Sequence, residues 1–219
     1  SNFTFNKGVY IMYNEIFNFV KEYLQQHNGE FIKSNKFPFR KRSEHTWRVF
    51  KWTQRLIENG DFDDSLDKES VLIASLFHDI GYLTDQDNSM HAENSAKIFI
   101  QYAKDNNYDE TKSKFIEYLI YHHSDKDIIN CESTPLELAI LMEADLLDET
   151  GALSIVWDCM MEGNQAEQTF IKTYNHIKNF SLEIMSSNPM RTEIGKKYWL
   201  EKQSLTFEFI RQLEFDLDI

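Results

Sequence analysis

The chain has 219 residues, of which 42% are hydrophobic and 27% charged, a composition typical of a folded globular protein rather than a disordered one. Its 7 Gly and 3 Pro are too few for a many-stranded β-sandwich or barrel, which needs a turn every few residues. The net charge of −13 argues against binding of duplex nucleic acid or an anionic membrane by the chain as a whole. We therefore expect a helical protein that has neither as a partner.

The cysteine content indicates a cellular compartment. Cys131 and Cys159 are too few for a disulfide framework and lack the spacing of a zinc cage. Reduced thiols of this kind are typical of the cytoplasm. The sequence has no run of about 18 consecutive apolar residues, and no cationic start is followed by an apolar signal segment. These features predict a soluble, cytoplasmic protein.

Helical periodicity runs through almost the whole chain. A first amphipathic helix is predicted over about residues 9–27, followed by an irregular basic stretch over about 31–42. Ser43 is the predicted N-cap of a second helix that ends near residue 59. The segment VLIASLF, residues 71–77, is apolar on every side, which predicts a buried helix ending near His78.

The second half of the chain continues the same pattern. No repeat, low-complexity tract or hairpin signal interrupts it. The sequence therefore predicts an all-α protein with one core and no clear linker. Further helices are expected over about residues 90–104, 109–123, 135–150, 152–162 and 165–185, with a final long helix opened by Asn188-Pro189.

The seven histidines are the informative residues, because several share a helical face with apolar side chains. His45, Val49 and Trp52 fall at i, i+4 and i+7, which is one stripe of the second helix. By the same spacing Asp145 shares a stripe with Leu138. The other ionisable residues that we expect to point inward are His78, Asp79, His91, His122 and His123.

A joint pattern of this kind favours a metal site over isolated core residues. A single histidine on an apolar face is more often a hydrogen-bonded core residue than a ligand, and the dipeptide His78-Asp79 means little by itself. Burial of an unpaired carboxylate, however, lowers the stability of the folded state by several kcal/mol. Since three or four helices each present His or Asp inward, one shared cation would satisfy them together. Two imidazoles and two carboxylates suit Mn²⁺, Mg²⁺, Co²⁺, Ni²⁺, Fe²⁺ or Zn²⁺.

The order His45, His78-Asp79, Asp145 resembles the HD superfamily of metal-dependent phosphohydrolases, which are all-α. The resemblance implies a single HD domain over residues 1–219, with a core over about 43–151 and C-terminal helices over about 152–219 packed on it. It is carried by the segments HTWRVFKWTQ, LIASLFHDIGY, MHAENSAKIF, IEYLIYHHS and LAILMEADLLDETGA. The late segment MRTEIGKKYWLEKQSLTFEFIRQLEFD is similar to the closing helix of a bacterial subgroup of small HD hydrolases that resembles nucleoside triphosphate pyrophosphohydrolases.

The resemblance also implies the residues of the site. His45, His78, Asp79 and Asp145 match the ligands of a divalent metal. Asp79 matches a residue that orients or deprotonates the attacking water. Glu143 stands where the family commonly has Asp, a change that keeps the carboxylate.

Three further histidines match positions with variable roles in the family. His91, His122 and His123 correspond to residues that hold a second metal in some branches and touch phosphate in others. Trp157 stands where the subgroup more often carries an arginine, so the helix that follows Gly151 lacks the basic character of its counterparts.

A basic segment supports an anionic substrate independently of the family. Residues 33–55 contain eight basic residues and one acidic residue, a net charge of +7 that leaves −20 for the rest of the chain. Arg48 lies about one turn beyond His45 and is expected to reach a phosphate beside the metal. We expect Arg48 to act with Asp79 in catalysis. The residues expected to bind the small phosphorylated substrate are Arg42, Arg48, Lys51 and Asp148.

The sequence therefore predicts a hydrolase that cleaves a phosphate ester or anhydride of a nucleotide or similar small metabolite with water activated by the metal. One alternative is an HD-fold di-iron oxygenase, in which His91 and either His122 or His123 supply the extra ligands. Another is a non-catalytic HD domain that senses a nucleotide, although retention of all four core ligands argues against it. The sequence leaves open whether the chain forms a homodimer.

Overall fold

The computed structural model describes residues 7–27, 41–82 and 88–219, and over these ranges the chain is all-α, as predicted. No helix within them is long and apolar enough to cross a bilayer. The α-helices of the described ranges are α1 (Lys7–Gln26), α2 (Arg42–Asn59), α3 (Lys68–Phe77), α4 (His91–Asp105), α5 (Glu110–His122), α6 (Leu136–Leu147), α7 (Ala152–Gly163), α8 (Phe170–Ile177) and α9 (Glu193–Leu217).

Helix α3 lies at the centre of the fold. Its residues from Ser70 to Phe77 are all buried, and it packs against α1, α2, α5 and α6. Asp67 caps its N-terminus by accepting a hydrogen bond from the backbone N–H of Ser70. Since α3 is buried on all sides, its C-terminal end also lies inside the protein. His78 and Asp79 follow this end directly, and both side chains are buried.

Helices α2 and α6 pack against each other and against α3. The α2 stripe lies as its spacing predicts, with His45 and Val49 buried and Trp52 packed at the edge of the core. Helix α6 is buried over almost its whole length. Asp145 lies in its last turn, so the helix directs this carboxylate toward α2 and the end of α3.

Some helix ends differ from the sequence expectation. Lys41, not Ser43, is the N-cap of α2, and its side chain makes no capping bond. Ser43 lies inside the first turn and is buried, so tertiary packing outweighs its local preference for a cap. Helix α8 begins later than expected, after Thr169, whose hydroxyl accepts a hydrogen bond from the Lys172 N–H.

The last helix begins at a capping residue anchored on a buried carboxylate. Thr192, rather than Asn188-Pro189, forms the N-cap of α9. Glu143 of α6 accepts hydrogen bonds of 2.6 Å from the backbone N–H groups of Arg191 and Thr192. Gly195 lies against the same carboxylate, so that an added Cβ would clash with it. These contacts join α9 to the helix that carries Asp145.

Candidate metal centre

The four side chains predicted as metal ligands converge from three helices. His45 comes from α2, His78 and Asp79 from the end of α3, and Asp145 from α6. The Nε2 atom of His45 lies 3.4 Å from Asp79 Oδ2, 3.4 Å from Asp145 Oδ1 and 3.3 Å from His78 Nε2. His78 Nε2 lies 3.7 Å from the same Asp79 oxygen and 3.9 Å from the same Asp145 oxygen. His45, His78 and Asp79 thus form one group of mutually close donor atoms, and Asp145 Oδ1 lies against its two histidines.

The facing imidazoles of His45 and His78 are held in a form that suits metal binding. Nδ1 of His45 lies 2.7 Å from Asp148 Oδ2, and Nδ1 of His78 lies 2.7 Å from the carbonyl oxygen of Ser75. Both partners are acceptors, so each neutral ring carries its proton on Nδ1 and a lone pair on Nε2. When both rings are neutral, their two Nε2 lone pairs, 3.3 Å apart, repel each other unless a metal ion lies between them.

The separations also fit a metal ion. Ligand bonds of about 2.0–2.2 Å place neighbouring donor atoms about 3 to 3.5 Å apart in octahedral or tetrahedral geometry. The observed separations of 3.3–3.9 Å are close to this range. The donor set of two imidazole nitrogens and two carboxylate oxygens suits the divalent ions expected from the sequence.

A second donor group adjoins the first. His91 Nε2 and His123 Nε2 lie 3.7 and 3.5 Å from Asp79 Oδ1, and 3.3 Å from each other. Nδ1 of His123 lies 2.6 Å from the Ile120 carbonyl oxygen, which again leaves the lone pair on Nε2. Asp79 therefore presents Oδ2 to one donor group and Oδ1 to the other.

The structure separates His122 from His123. His122 is about one third exposed, and its Nδ1 lies 2.7 Å from Asp125 Oδ2. Its ring contacts Tyr118 and Tyr121 rather than the donor groups. Consecutive helical residues point about 100° apart, so only one of the two adjacent histidines faces the centre.

Arg42 holds the shared carboxylate of Asp79. Its guanidinium donates a 2.6 Å hydrogen bond to Asp79 Oδ2, and the Arg42 side chain is only 4% exposed. The guanidinium also lies 3.8 Å from the ring centroid of Tyr82, which stacks on His91. Arg42, which the sequence suggested for substrate binding, is thus placed to fix Asp79.

Arg48 and Asp148 form a buried support for His45. Arg48 donates hydrogen bonds of 2.9 and 3.0 Å to the two oxygens of Asp148, and one of 3.2 Å to Glu149. The Asp148 side chain is fully buried and also binds His45 Nδ1. The structure thus places Asp148 behind the ligand His45, on the side away from the donor atoms.

Sequence reasoning missed one cation at this centre. Lys126 donates a 2.7 Å hydrogen bond to Asp145 Oδ2, while Oδ1 of the same carboxylate faces His45. It lies in a short 3₁₀ turn, Lys126–Ile128, where no helical periodicity reports its direction. Lys51, which was expected to bind substrate, donates a hydrogen bond to Gln54 of its own helix. Three members of the basic segment, Lys33, Lys36 and Arg40, lie outside the described residues.

The surrounding charges keep the two ligand carboxylates ionised. Burial alone would raise the pKa of Asp79, but its electrostatic interactions with the adjacent His78 and with the Arg42 guanidinium hold that pKa well below its usual range. Burial opposes ionisation of Asp145 in the same way, and the nearby Lys126 ammonium is the main group that keeps its pKa well below the usual value. Both carboxylates are therefore anionic at neutral pH, the form that binds a metal.

The two histidines of the first donor group differ in their protonation. Burial lowers the pKa of His78 to about 4, so this ring is neutral at neutral pH. Burial would also lower the pKa of His45, but hydrogen bonds to Asp145, Asp148 and Asp79 raise it well above its usual value. A proton on His45 and a metal ion thus satisfy the same carboxylates, and metal binding must release that proton.

The candidate centre lies within a known family domain. The HD domain family model matches residues 42–150, which include every group described above. The chain belongs to the HD superfamily. This HD protein is similar in structure to an HD-superfamily hydrolase from Bacillus thuringiensis, with a TM-score of 0.65 and 18% sequence identity over 94% of this chain and 97% of the other.

Other solved structures have the same fold. A predicted HD-superfamily hydrolase from an uncultured Thermotogales bacterium has a TM-score of 0.60 and 20% identity, over 93% of this HD protein and 92% of the other chain. Bacillus subtilis YpgQ, solved in complex with ADP, has a TM-score of 0.61 and 19% identity over 93% and 94% of the two chains. No curated protein matches the sequence. At these identities the likeness establishes the fold.

Proposed function

We propose that this HD protein is a metal-dependent phosphohydrolase that cleaves a phosphate ester or anhydride of a nucleotide or similar small metabolite. The observation that carries the proposal is the close group of His45, His78 and Asp79, with Asp145 against the two histidines, so that imidazole nitrogens and ionised carboxylates face each other. These residues would hold a divalent metal, which when bound supplies a Lewis acid and lowers the pKa of a water nucleophile.

Asp79 is the residue best placed to orient the attacking water. Its carboxylate is buried, ionised and fixed by the 2.6 Å hydrogen bond from Arg42. Its two oxygens face the two donor groups, so a water near either group has Asp79 as a neighbour. Preorganised charge of this kind lowers the barrier without a cost of reorganisation during the reaction.

Among the described residues, Lys126 is the cation that we assign to the substrate phosphate. The Lys126 side chain is 27% exposed and bound to one outer oxygen of Asp145, so its ammonium can turn toward an anion at the centre. It would neutralise charge that develops on the phosphate. The Arg48 guanidinium binds Asp148 and Glu149 on the far side of His45, so we assign it to the support of that ligand.

The second donor group supports occupancy by two metal ions. This group consists of three donor atoms, namely Asp79 Oδ1, His91 Nε2 and His123 Nε2. Sites with two metal ions are a common arrangement for phosphate hydrolysis. The same ligand set suits the di-iron oxygenase considered above, but nearby cations such as Lys126 favour an anionic substrate, which supports the hydrolase.

The test is a panel of nucleotides and simple phosphate esters with Mn²⁺, Mg²⁺, Co²⁺, Ni²⁺, Zn²⁺ and Fe²⁺, read by phosphate and pyrophosphate release. A protein of this fold, Bacillus subtilis YpgQ, binds ADP in its crystal structure, so nucleotides are the first compounds to try. Asp79→Ala should abolish turnover, whereas Asp125→Asn, a carboxylate change outside the donor groups, should not.

Each alternative function predicts a different measurable result. No turnover of any compound with any metal would refute the hydrolase. Two iron equivalents per chain together with consumption of O₂ would identify the oxygenase. Saturable nucleotide binding that survives Asp79→Ala, with no turnover in the parent protein, would identify a sensor.

A further inference from the structure

A groove of about 200 Å³ lies between the start of α2 and one face of α7. Its two walls differ in character. One wall consists of apolar and aromatic side chains of α7, namely Leu153, Val156, Trp157 and Met160. The other wall consists of charged side chains, namely Lys41, Glu44, Arg48 and Glu149.

The groove adjoins the metal centre through shared residues. Arg48 lines the groove and also binds Asp148, the carboxylate that holds His45. Glu149 lines the groove as well, and its Oε1 lies 3.8 Å from His45 Nδ1. Since the other nitrogen of that ring faces the donor atoms, one imidazole ring separates the groove wall from the centre. The groove wall and the donor atoms therefore lie on the two sides of the same ring.

The charged wall is neutralised internally. Lys41 Nζ lies 3.5 Å from a Glu44 oxygen, and Arg48 donates a 3.2 Å hydrogen bond to Glu149. Two cations and two carboxylates leave this wall with no net charge. A phosphate would gain little from such a wall, whereas polar N–H groups on the edge of a neutral molecule would find two carboxylate acceptors.

The opposite wall exposes apolar area that a ring would cover. Leu153, Val156 and Met160 are 42%, 52% and 44% exposed, and their spacing of i, i+3 and i+7 places them on one face of α7. Scattered exposed apolar residues are ordinary on a protein surface. Here they form one side of a groove whose volume exceeds the roughly 150 Å³ of a cavity that admits benzene. The space therefore suits one or two fused rings.

We propose that this groove binds the aromatic ring system of the substrate, a nitrogen heterocycle with amino or ring N–H groups such as a nucleobase. The ring lies on the apolar face of α7, and its polar edge donates hydrogen bonds to Glu44 and Glu149. The inference rests on the proposed function in one respect, since it assigns the phosphate of the same molecule to the metal centre.

The test measures the binding of a ring without phosphate and of a phosphate without a ring. Adenosine and ribose 5-phosphate are titrated calorimetrically into the metal-loaded protein. The variant Leu153→Gln/Val156→Gln makes the apolar wall polar. The control Cys159→Gln/Leu200→Gln changes two exposed residues that do not line the groove, one of them on α7. Thermal unfolding confirms that both double variants are folded.

We expect the groove variant to bind adenosine at least tenfold more weakly than the parent protein, because the ring loses apolar contact. The control variant should bind adenosine within twofold of the parent, and both variants should bind ribose 5-phosphate normally. The proposal is wrong if the parent protein does not bind adenosine, or if the groove variant binds it as tightly as the control does.

Adenosine has no phosphate to lose, so this result does not depend on turnover. Selective loss of adenosine binding in a protein that hydrolyses nothing would support the groove and refute the hydrolase. Hydrolysis of simple phosphate esters with no difference in adenosine binding between the two variants would refute the groove and leave the hydrolase standing.

Discussion

Replacing Asp148 by Asn tests whether this residue acts by orienting the ligand His45. Asp148 is buried, and its carboxylate accepts hydrogen bonds from His45 Nδ1 at 2.7 Å and from Arg48 at 2.9 and 3.0 Å. Asn keeps the shape but removes the charge, and it turns one acceptor oxygen into an N–H₂ donor. At least one of the three donors that faced the carboxylate then meets another donor.

The expected loss of metal affinity follows from the hydrogen bond between Asp148 and His45. A hydrogen bond to a charged acceptor contributes about 1.5–3 kcal/mol, and one to a neutral acceptor about 0.5–1.5 kcal/mol, so the change at His45 costs about 1–1.5 kcal/mol. The bonds from Arg48 add little, because its side chain is 35% exposed and screened by solvent. A loss of this size weakens metal binding about tenfold, the lower end of the 10- to 100-fold range for groups that support a ligand.

The assay is a competition titration of Mn²⁺ or Zn²⁺ between the metal-free protein and a chromophoric chelator. The matched control is Asp158→Asn in α7, since Asp158 is also buried and lies 3.2 Å from a histidine, His176. The control should lose stability but keep its metal affinity. If Asp148→Asn binds metal within twofold of the parent, or if both variants lose affinity equally, the orienting role of Asp148 is wrong.

Three further changes test other parts of the structure. Gly195→Ala should lower the free energy of unfolding by about 1–3 kcal/mol, because the new methyl group clashes with the Glu143 carboxylate. The Tm should fall by roughly 2–12 °C, and an unchanged Tm in a thermal melt would contradict this packing. His123→Ala should remove one of two bound metal equivalents while His122→Ala keeps both, as measured by elemental analysis, and equal losses in the two variants would contradict the assignment. Burial lowers the pKa of His78 to about 4, below its unfolded value of 6.5, so the unfolded chain binds the proton first as pH falls. The free energy of unfolding of the metal-free protein should thus decline as the pH falls from about 6.5 to 4, and His78→Gln should make this decline smaller. If urea titrations give the same pH profile for the variant and the parent, His78 does not cause the decline.

Much of the helical framework could be predicted from the sequence because helix formation is governed by local spacing. The run of apolar residues over 71–77 predicts a buried helix without reference to any other segment, and α3 is buried there. The 3.6-residue period likewise orients His45 and Asp145 inward. Helix ends were less predictable, since Ser43 has a local preference for capping that tertiary burial overrides.

The sequence by itself determined the all-α class and the inward faces of most helices, and it predicted the ligand chemistry of the candidate centre, because all of these follow from residue type and local period. Only the tertiary structure decided which atoms meet. His123 rather than His122 faces the donor atoms, Asp79 belongs to both donor groups, and Lys126 lies beside Asp145. The physical reason is that periodicity gives the direction of a side chain from its own helix axis, whereas a metal centre depends on the distances between helices, which packing alone sets.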